Sequence, residues 1–172
     1  MAEDSLILPA FHYFVAGPDT VKMLNSFVLK SKYLYWQKKH KEAMAVLDSG
    51  IAAATACRDT YLMVNMLSEK ANRYVYVEKD YKKAIEAHLR AIAIREDEGL
   101  CYSLGIAMGL QGNDSASYYM DRSIELVEKK KDTTRLVHYL RNYAQLLSYI
   151  SSDYKKAAEV SKRLRSLAPD GG

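Results

Sequence analysis

Four stretches of the chain resemble one another, and this internal repetition limits the possible fold more than any other feature. Each stretch has a turn, then a small residue, then further apolar or small residues four and seven positions later. The equivalent small residues lie 41, 32 and 41 residues apart and are Ala43, Ala84, Ala116 and Ala157. Positions separated by three, four or seven residues share one face of an α-helix. Periods of this length therefore indicate repeated helical hairpins rather than strands or heptads.

The turns between the repeats predict where the helices begin and end. Aspartate, serine and threonine favour helix N-caps because their side chains accept hydrogen bonds from free backbone N–H groups. Such residues occur at Asp59-Thr60, Asp80, Asp114-Ser115, Asp132 to Thr134 and Ser152-Asp153, and Gly112-Asn113 is typical of a tight reversal. We expect each repeat's alanine to lie where the second helix of a hairpin crosses the first at close range.

The predicted fold class is all-α, an α-solenoid of antiparallel helical hairpins with about four repeats and a short N-terminal helix. Residues 1–19 are predicted to form a capping helix and turn, with the helix starting at Pro9, since proline fits best in a first turn. Residues 20–170 are predicted to form the repeat domain, with repeats at about 20–56, 60–96, 98–129 and 133–169. The predicted helices cover about 9–15, 20–37, 41–56, 60–78, 81–96, 98–111, 115–129, 133–151 and 154–167.

This pattern resembles the tetratricopeptide repeat. The second helix of that repeat has alanine, a large residue four positions later and another alanine three positions after that. The second repeat matches best, through Tyr81, Ala84, His88 and Ala91, while Leu104-Gly105 is similar to the Leu-Gly pair of a first helix. Two of the three intervals exceed the family's 34 residues, and in this respect the chain is similar to elongated bacterial arrays, including those of Bacteroidetes.

The resemblance implies a groove lined by the first helix of each hairpin, which would bind a protein or an extended peptide. Aromatic and cationic side chains at the family's groove positions would supply contact area and pair with carboxylates. For any one tyrosine, packing in the core is an equal alternative, and Trp36 is expected nearer the core. The groove residues implied are Lys32, Tyr35, Glu69, Arg73, Tyr76, Tyr102, Tyr139, Asn142 and Tyr149.

No grouping of residues predicts an enzyme, a cofactor or a metal site. The four histidines lie on different predicted helices, without the spacings that gather metal ligands. The two cysteines cannot form a disulfide framework, and both are expected to be buried free thiols. Gly105 and Gly109 form a GxxxG spacing, which here favours close approach between helices.

Charge and hydropathy limit the partners further. Of the 172 residues, 49% are hydrophobic and 27% charged, which excludes a disordered chain. The net charge of +4 comes from short basic clusters with acidic residues close to most of them, so nucleic-acid binding is not expected. No apolar run reaches the ~20 residues that a bilayer requires, and the acidic start, Met1 to Asp4, does not fit a secretory signal.

The leading functional hypothesis is a non-enzymatic scaffold that binds a protein or peptide partner, with self-association also open. The alternative is the sensor or regulatory segment of a larger transcriptional or membrane-anchored regulator, in which the array dimerises or receives a signal. A cytoplasmic location is favoured, and a soluble segment of a membrane-anchored protein is the other option. The sequence identifies neither the partner nor the oligomeric state.

Overall fold

A computed structural model describes residues 4–148 and 153–167. All regular secondary structure in these residues is helical, so the predicted all-α class is confirmed. A π-helical turn, Tyr74–Glu78, follows α4. The α-helices are α1 Asp4–Ala16, α2 Thr20–Trp36, α3 His40–Ala56, α4 Thr60–Arg73, α5 Tyr81–Ile94, α6 Glu98–Gln111, α7 Ala116–Lys129, α8 Thr133–Leu146 and α9 Tyr154–Leu167.

Aspartate side chains fix the start of most helices. The carboxylate of each capping aspartate accepts a hydrogen bond from the backbone N–H three residues later, at 2.9–3.1 Å. Each bond satisfies a donor that the first helical turn leaves without a partner. The N-cap of α7 is Ser115, within the predicted Asp114-Ser115 pair, but its side chain makes no capping bond and Asn113 instead accepts from the N–H of Ser115. The capping aspartates are Asp19, Asp59, Asp80, Asp97, Asp132 and Asp153.

The helix ends use left-handed backbone, which reverses the chain within a few residues. Gly112 has φ of 75° after α6, as its turn sequence predicts. Elsewhere the same position holds a basic residue with φ of 56–62°, at Lys38, Arg58, Lys79 and Lys131. A cation at this point also interacts favourably with the negative end of the helix dipole.

The first helix is longer than the sequence predicts. It begins at Asp4 and contains Pro9 in its interior, so the expectation that Pro9 starts the helix is wrong. Proline lacks the N–H that would bond to the carbonyl four residues earlier. Packing against α2 offsets this loss: the rings of Phe11 and Phe27 meet edge to face with centroids 5.2 Å apart, and the Lys30 ammonium lies 3.9 Å from the Phe11 centroid.

The chain divides into two compact units, residues 1–70 and 71–172, and the division falls within α4. In unit 1, α1 packs on α2 and α2 on α3. Gly50 allows the closest approach, because a Cβ there would lie 2.5 Å from the Met66 sulfur and 2.9 Å from Phe27 Cβ. Ala43 is fully buried, as expected for the small residue of the first repeat.

In unit 2, consecutive helices from α5 to α9 pack against one another, and α6 also touches α8. Gly105 and Gly109 let α6 approach Met120 and Leu146, which confirms the interpretation of their spacing. The small residues of the later repeats are buried too: Ala84, Ala116 and Ala157 are 7% exposed or less. Val160 and Leu164 on α9 belong to the same core, which runs from Val75 through Tyr139 and Tyr143.

Candidate functional site

The predicted groove residues are divided between the two units. Lys32, Tyr35 and Glu69 belong to unit 1. The larger group, Arg73, Tyr76, Tyr102, Tyr139 and Asn142, belongs to unit 2, and Tyr149 lies outside the described residues.

In unit 1, Lys32 is exposed, while Tyr35 and Glu69 are half-buried. The ring of Tyr35 lies 5.0 Å from that of His40. Trp36 is 81% exposed, so the expectation that it lies near the core is wrong. The buried stripe of α2 passes through Leu34, and a residue two positions later points about 200° away around the helix.

In unit 2, the structure brings Tyr102 and Tyr139 together. Tyr102 lies on α6 and Tyr139 on α8, and their rings are stacked with centroids 4.1 Å apart and planes within 6°. Both α6 and α8 are first helices of predicted hairpins. First helices of successive repeats therefore lie side by side here, which a groove formed by such helices requires.

Two polar side chains extend this stack towards solvent. The exposed ring of His138 lies 5.7 Å from Tyr102 and 5.9 Å from Tyr139. One turn further along α8, the Asn142 amide donates to the His138 carbonyl at 2.9 Å and lies 3.3 Å from the imidazole Nε2. His138 was not among the predicted groove residues, although its spacing of four from Asn142 could have suggested it.

The tyrosine hydroxyls of the stack stay neutral. Burial, and to a smaller extent the nearby Tyr76, raises the pKa of Tyr102 to about 12. Burial likewise raises the pKa of Tyr139 to about 12, with the nearby Arg135 acting in the opposite direction. Both hydroxyls therefore keep their protons across the physiological pH range.

A buried carboxylate holds α6 against α8 beside the stack. Glu98, at the start of α6, is 5% exposed and pairs with Lys130, at 2.5 Å, and with Arg135 on α8. Burial alone would raise the pKa of Glu98, but the two cations hold it below its usual value. These pairs are the strong, charge-assisted kind and keep the two first helices in register.

The remaining two residues of the group differ in exposure. Tyr76, on the π-helical turn, is 62% exposed and presents its ring to solvent. Arg73 is 5% exposed, so its side chain contributes to the interior rather than to a displayed surface. We define the binding face of unit 2 as Tyr76, Tyr102, His138 and Asn142, with the buried Tyr139 stacked beneath Tyr102.

The two cysteines differ in exposure. Cys57 is exposed, which corrects the expectation of a buried thiol, because it follows the last residue of α3 and enters the turn. Cys101 is buried as expected, and burial raises the pKa of its thiol to about 12, so it is not a ready nucleophile. Among the described residues, no three His, Cys, Asp or Glu side chains gather closely enough to hold a metal ion.

The architecture defines the chain as an all-α protein of consecutively packed helices, like a helical repeat array. No profile of a known protein family matches the sequence, and no curated protein is significantly similar to it. Within the part of the chain that the structure describes, no helix is both long and apolar enough to cross a bilayer.

Proposed function

We propose that this protein is a non-enzymatic scaffold that binds a peptide or protein partner on the binding face of unit 2. One observation carries the proposal. The stack of Tyr102 on Tyr139 joins two first helices, and next to it lie exposed groups that can contact a partner. The resemblance to tetratricopeptide repeats supports the same surface, since such arrays bind partners with their first helices.

The chemistry of the face suits a peptide backbone more than a small metabolite. Tyrosine rings provide contact area with little loss of side-chain entropy, and they are frequent among residues that dominate binding energy. Asn142 and His138 can donate and accept hydrogen bonds, and the half-buried Tyr102 has a neutral hydroxyl that can donate one. A face with these groups can pair with the carbonyl and N–H groups of an extended segment and hold its apolar side chains on the rings.

A binding selection tests the proposal. Peptides are selected from a random displayed library on the immobilised full chain, and their affinities are then measured by fluorescence anisotropy. We expect Tyr76→Ala, His138→Ala and Asn142→Ala each to weaken binding by roughly 5- to 30-fold, the loss typical of a contact residue of about 1–2 kcal/mol. Each of these side chains is partly or largely solvent-exposed, so the substitutions should leave the fold intact.

Two exposed tyrosines outside the face provide matched controls. Tyr118 on α7 is 64% exposed and Tyr154 on α9 is 68% exposed, and both helices are second helices of hairpins. Tyr118→Ala and Tyr154→Ala should bind the selected peptides as the wild type does. The proposal fails if these controls weaken binding as much as the variants of the face, or if no peptide is selected.

A further inference from the structure

The outward side of α1 lacks the polar character of an ordinary surface helix. Leu6 is 69% exposed and Tyr13 is 74% exposed, and Leu8 and Val15 are also open to solvent. The sequence from Ser5 to Pro18 contains no charged residue. Surface helices normally turn charged residues outward, and a contiguous exposed apolar surface marks an interaction site.

The exposed residues of α1 and α2 form one continuous face. Leu6 and Leu29 line a common cleft, and Tyr13 and Lys22 line a second one. Tyr13 follows Leu6 by seven residues, and Leu29 follows Lys22 by seven, so each pair shares one side of its helix. Trp36 lies seven residues beyond Leu29 and continues the row. We call these five residues the α1–α2 face.

The side chains of this face stand out from the surface. Leu29 is 62% exposed and Trp36 is 81% exposed, so most of each side chain can contact a binding partner. Aliphatic groups occupy the middle of the face, with Tyr13 towards one end and Trp36 at the other. The same order, apolar residues bounded by tyrosine and tryptophan, occurs where proteins meet the membrane–water interface.

The charge around the face is one-sided. Residues 5–41 contain six of the 25 basic residues of the chain but only one of its 21 acidic residues, Asp19. The Asp19 carboxylate is already engaged, since it lies 3.1 Å from the Lys22 ammonium and accepts from the Lys22 N–H at 3.0 Å. An excess of lysine beside exposed apolar groups complements a surface that is anionic outside and apolar within.

We infer that unit 1 docks peripherally on an anionic phospholipid bilayer through the α1–α2 face. Leu6 and Leu29 enter the boundary of the acyl chains, while Tyr13 and Trp36 lie at the level of the headgroups. Lys32, which is exposed and follows Leu29 by three residues, reaches the lipid phosphates. With 13 residues, α1 lies on the bilayer and does not span it.

A second copy of the chain fits the face less well. In a symmetric dimer the same surface contributes from both subunits, so the excess positive charge of residues 5–41 in one copy would approach that of the other. Like charges brought together across an interface oppose association. The membrane inference concerns unit 1 alone, so it stands or falls independently of peptide binding by unit 2.

Trp36 is the only tryptophan in the sequence, so its fluorescence reports on this face in the unlabelled full chain. Vesicles made of equal parts phosphatidylserine and phosphatidylcholine should co-sediment with the protein and shift the emission to the blue. Lipids brominated in the acyl chain should quench that emission. Vesicles of phosphatidylcholine alone should do neither.

Variants separate the apolar and the electrostatic parts of the inference. Leu6→Glu with Leu29→Glu, and separately Lys32→Glu, should each weaken binding to the anionic vesicles at least ~10-fold. The control, Tyr118→Glu with Tyr154→Glu, changes exposed tyrosines of unit 2 and should bind as the wild type does. Circular dichroism verifies that every variant is folded.

Three results would overturn the inference. The first is that the protein does not bind the anionic vesicles, or that the control loses as much binding as the variants of the face. The second is a concentration-dependent dimer that shifts Trp36 emission without lipid, which would assign the face to a second copy. The third is a shift produced by polyglutamate but not by vesicles, which would assign the face to an acidic protein.

Discussion

The two units differ in whether they bury any tyrosine. In unit 2, Tyr143 is fully buried and Tyr139 is 6% exposed, so tyrosine builds the core. In unit 1, Tyr13 and Trp36 are more than 70% exposed, and among its described residues no tyrosine or tryptophan is buried. Unit 2 therefore places tyrosine in its core as well as on its surface, whereas in unit 1 tyrosine is found only at exposed or half-buried positions.

The two units also differ in how far their charged residues are balanced by residues of opposite charge. Around α6 of unit 2 they pair with one another: Glu96 binds Arg122 through two hydrogen bonds, and Glu98 binds Lys130 and Arg135. Around α1 and α2 of unit 1 the lysines far outnumber the acids. Charges that neutralise each other hold helices in place, whereas an unbalanced set attracts an outside partner. The difference explains why the two proposals concern two different surfaces.

The largest expected effect compares Tyr143 with Trp36. Tyr143→Ala removes a fully buried ring whose hydroxyl donates to the Ser117 carbonyl at 3.3 Å, and should lower the free energy of unfolding by about 3–5 kcal/mol. Trp36→Ala removes a ring that is 81% exposed and should change the free energy of unfolding by no more than ~0.5 kcal/mol. Urea unfolding followed by circular dichroism measures both. Equal losses would contradict the contrast between the units.

Acid should weaken unit 2 through His88. This residue of α5 is fully buried with neither ring nitrogen hydrogen-bonded in the described structure, and burial lowers its pKa to about 4. Between pH 6.5 and 4 the unfolded chain therefore binds a proton that the folded chain does not, so stability falls as the pH falls. The loss is about 3 kcal/mol across this window.

His88→Leu should remove this part of the pH dependence and make the protein more stable at pH 5 than the wild type. Denaturant unfolding of both proteins at pH 7 and pH 5 provides the test. An unchanged pH dependence in the variant would show that other groups cause the loss.

A smaller effect tests the close helix contacts that both units share. Gly50→Ala in unit 1 and Gly109→Ala in unit 2 each place a methyl group against a packed side chain, Met66 or Leu146. Each should destabilise by about 1–2 kcal/mol even after the gain in helix propensity. Gly99→Ala, whose Cβ would meet nothing nearer than 3.5 Å, should be neutral or stabilising. Thermal unfolding compares the three, and a neutral Gly50→Ala would mean that unit 1 is packed more loosely than described.

Much of the fold could be predicted from local signals. Asp80 and Asp132 mark helix starts because capping depends on the residue and its next few neighbours, and Gly112 marks a helix end for the same reason. The alanine spacing predicted the hairpins because packing repeats along the chain. Tyr102 and Tyr139 could be placed together because they occupy first helices of successive repeats.

The exposure of side chains and their long-range pairing could not be predicted from local sequence signals. Trp36 and Cys57 lie in or beside apolar stretches, but each is at the end of a helix, where one or two residues decide which way a side chain points. The partners of Glu98 are 32 and 37 residues away, so nothing local indicates that its carboxylate would be buried between two cations. Pro9 was misjudged because packing against α2 overrides its local preference.

The peptide-binding proposal depends on α6 and α8 lying side by side, and nuclear Overhauser contacts between Tyr102 and Tyr139 test this most directly. In protein with labelled tyrosine rings, assigned by Tyr102→Phe and Tyr139→Phe, we expect strong contacts between the two rings, whose centroids are 4.1 Å apart. Rings that show no contact with each other, in a chain that is otherwise folded and helical, would contradict the account.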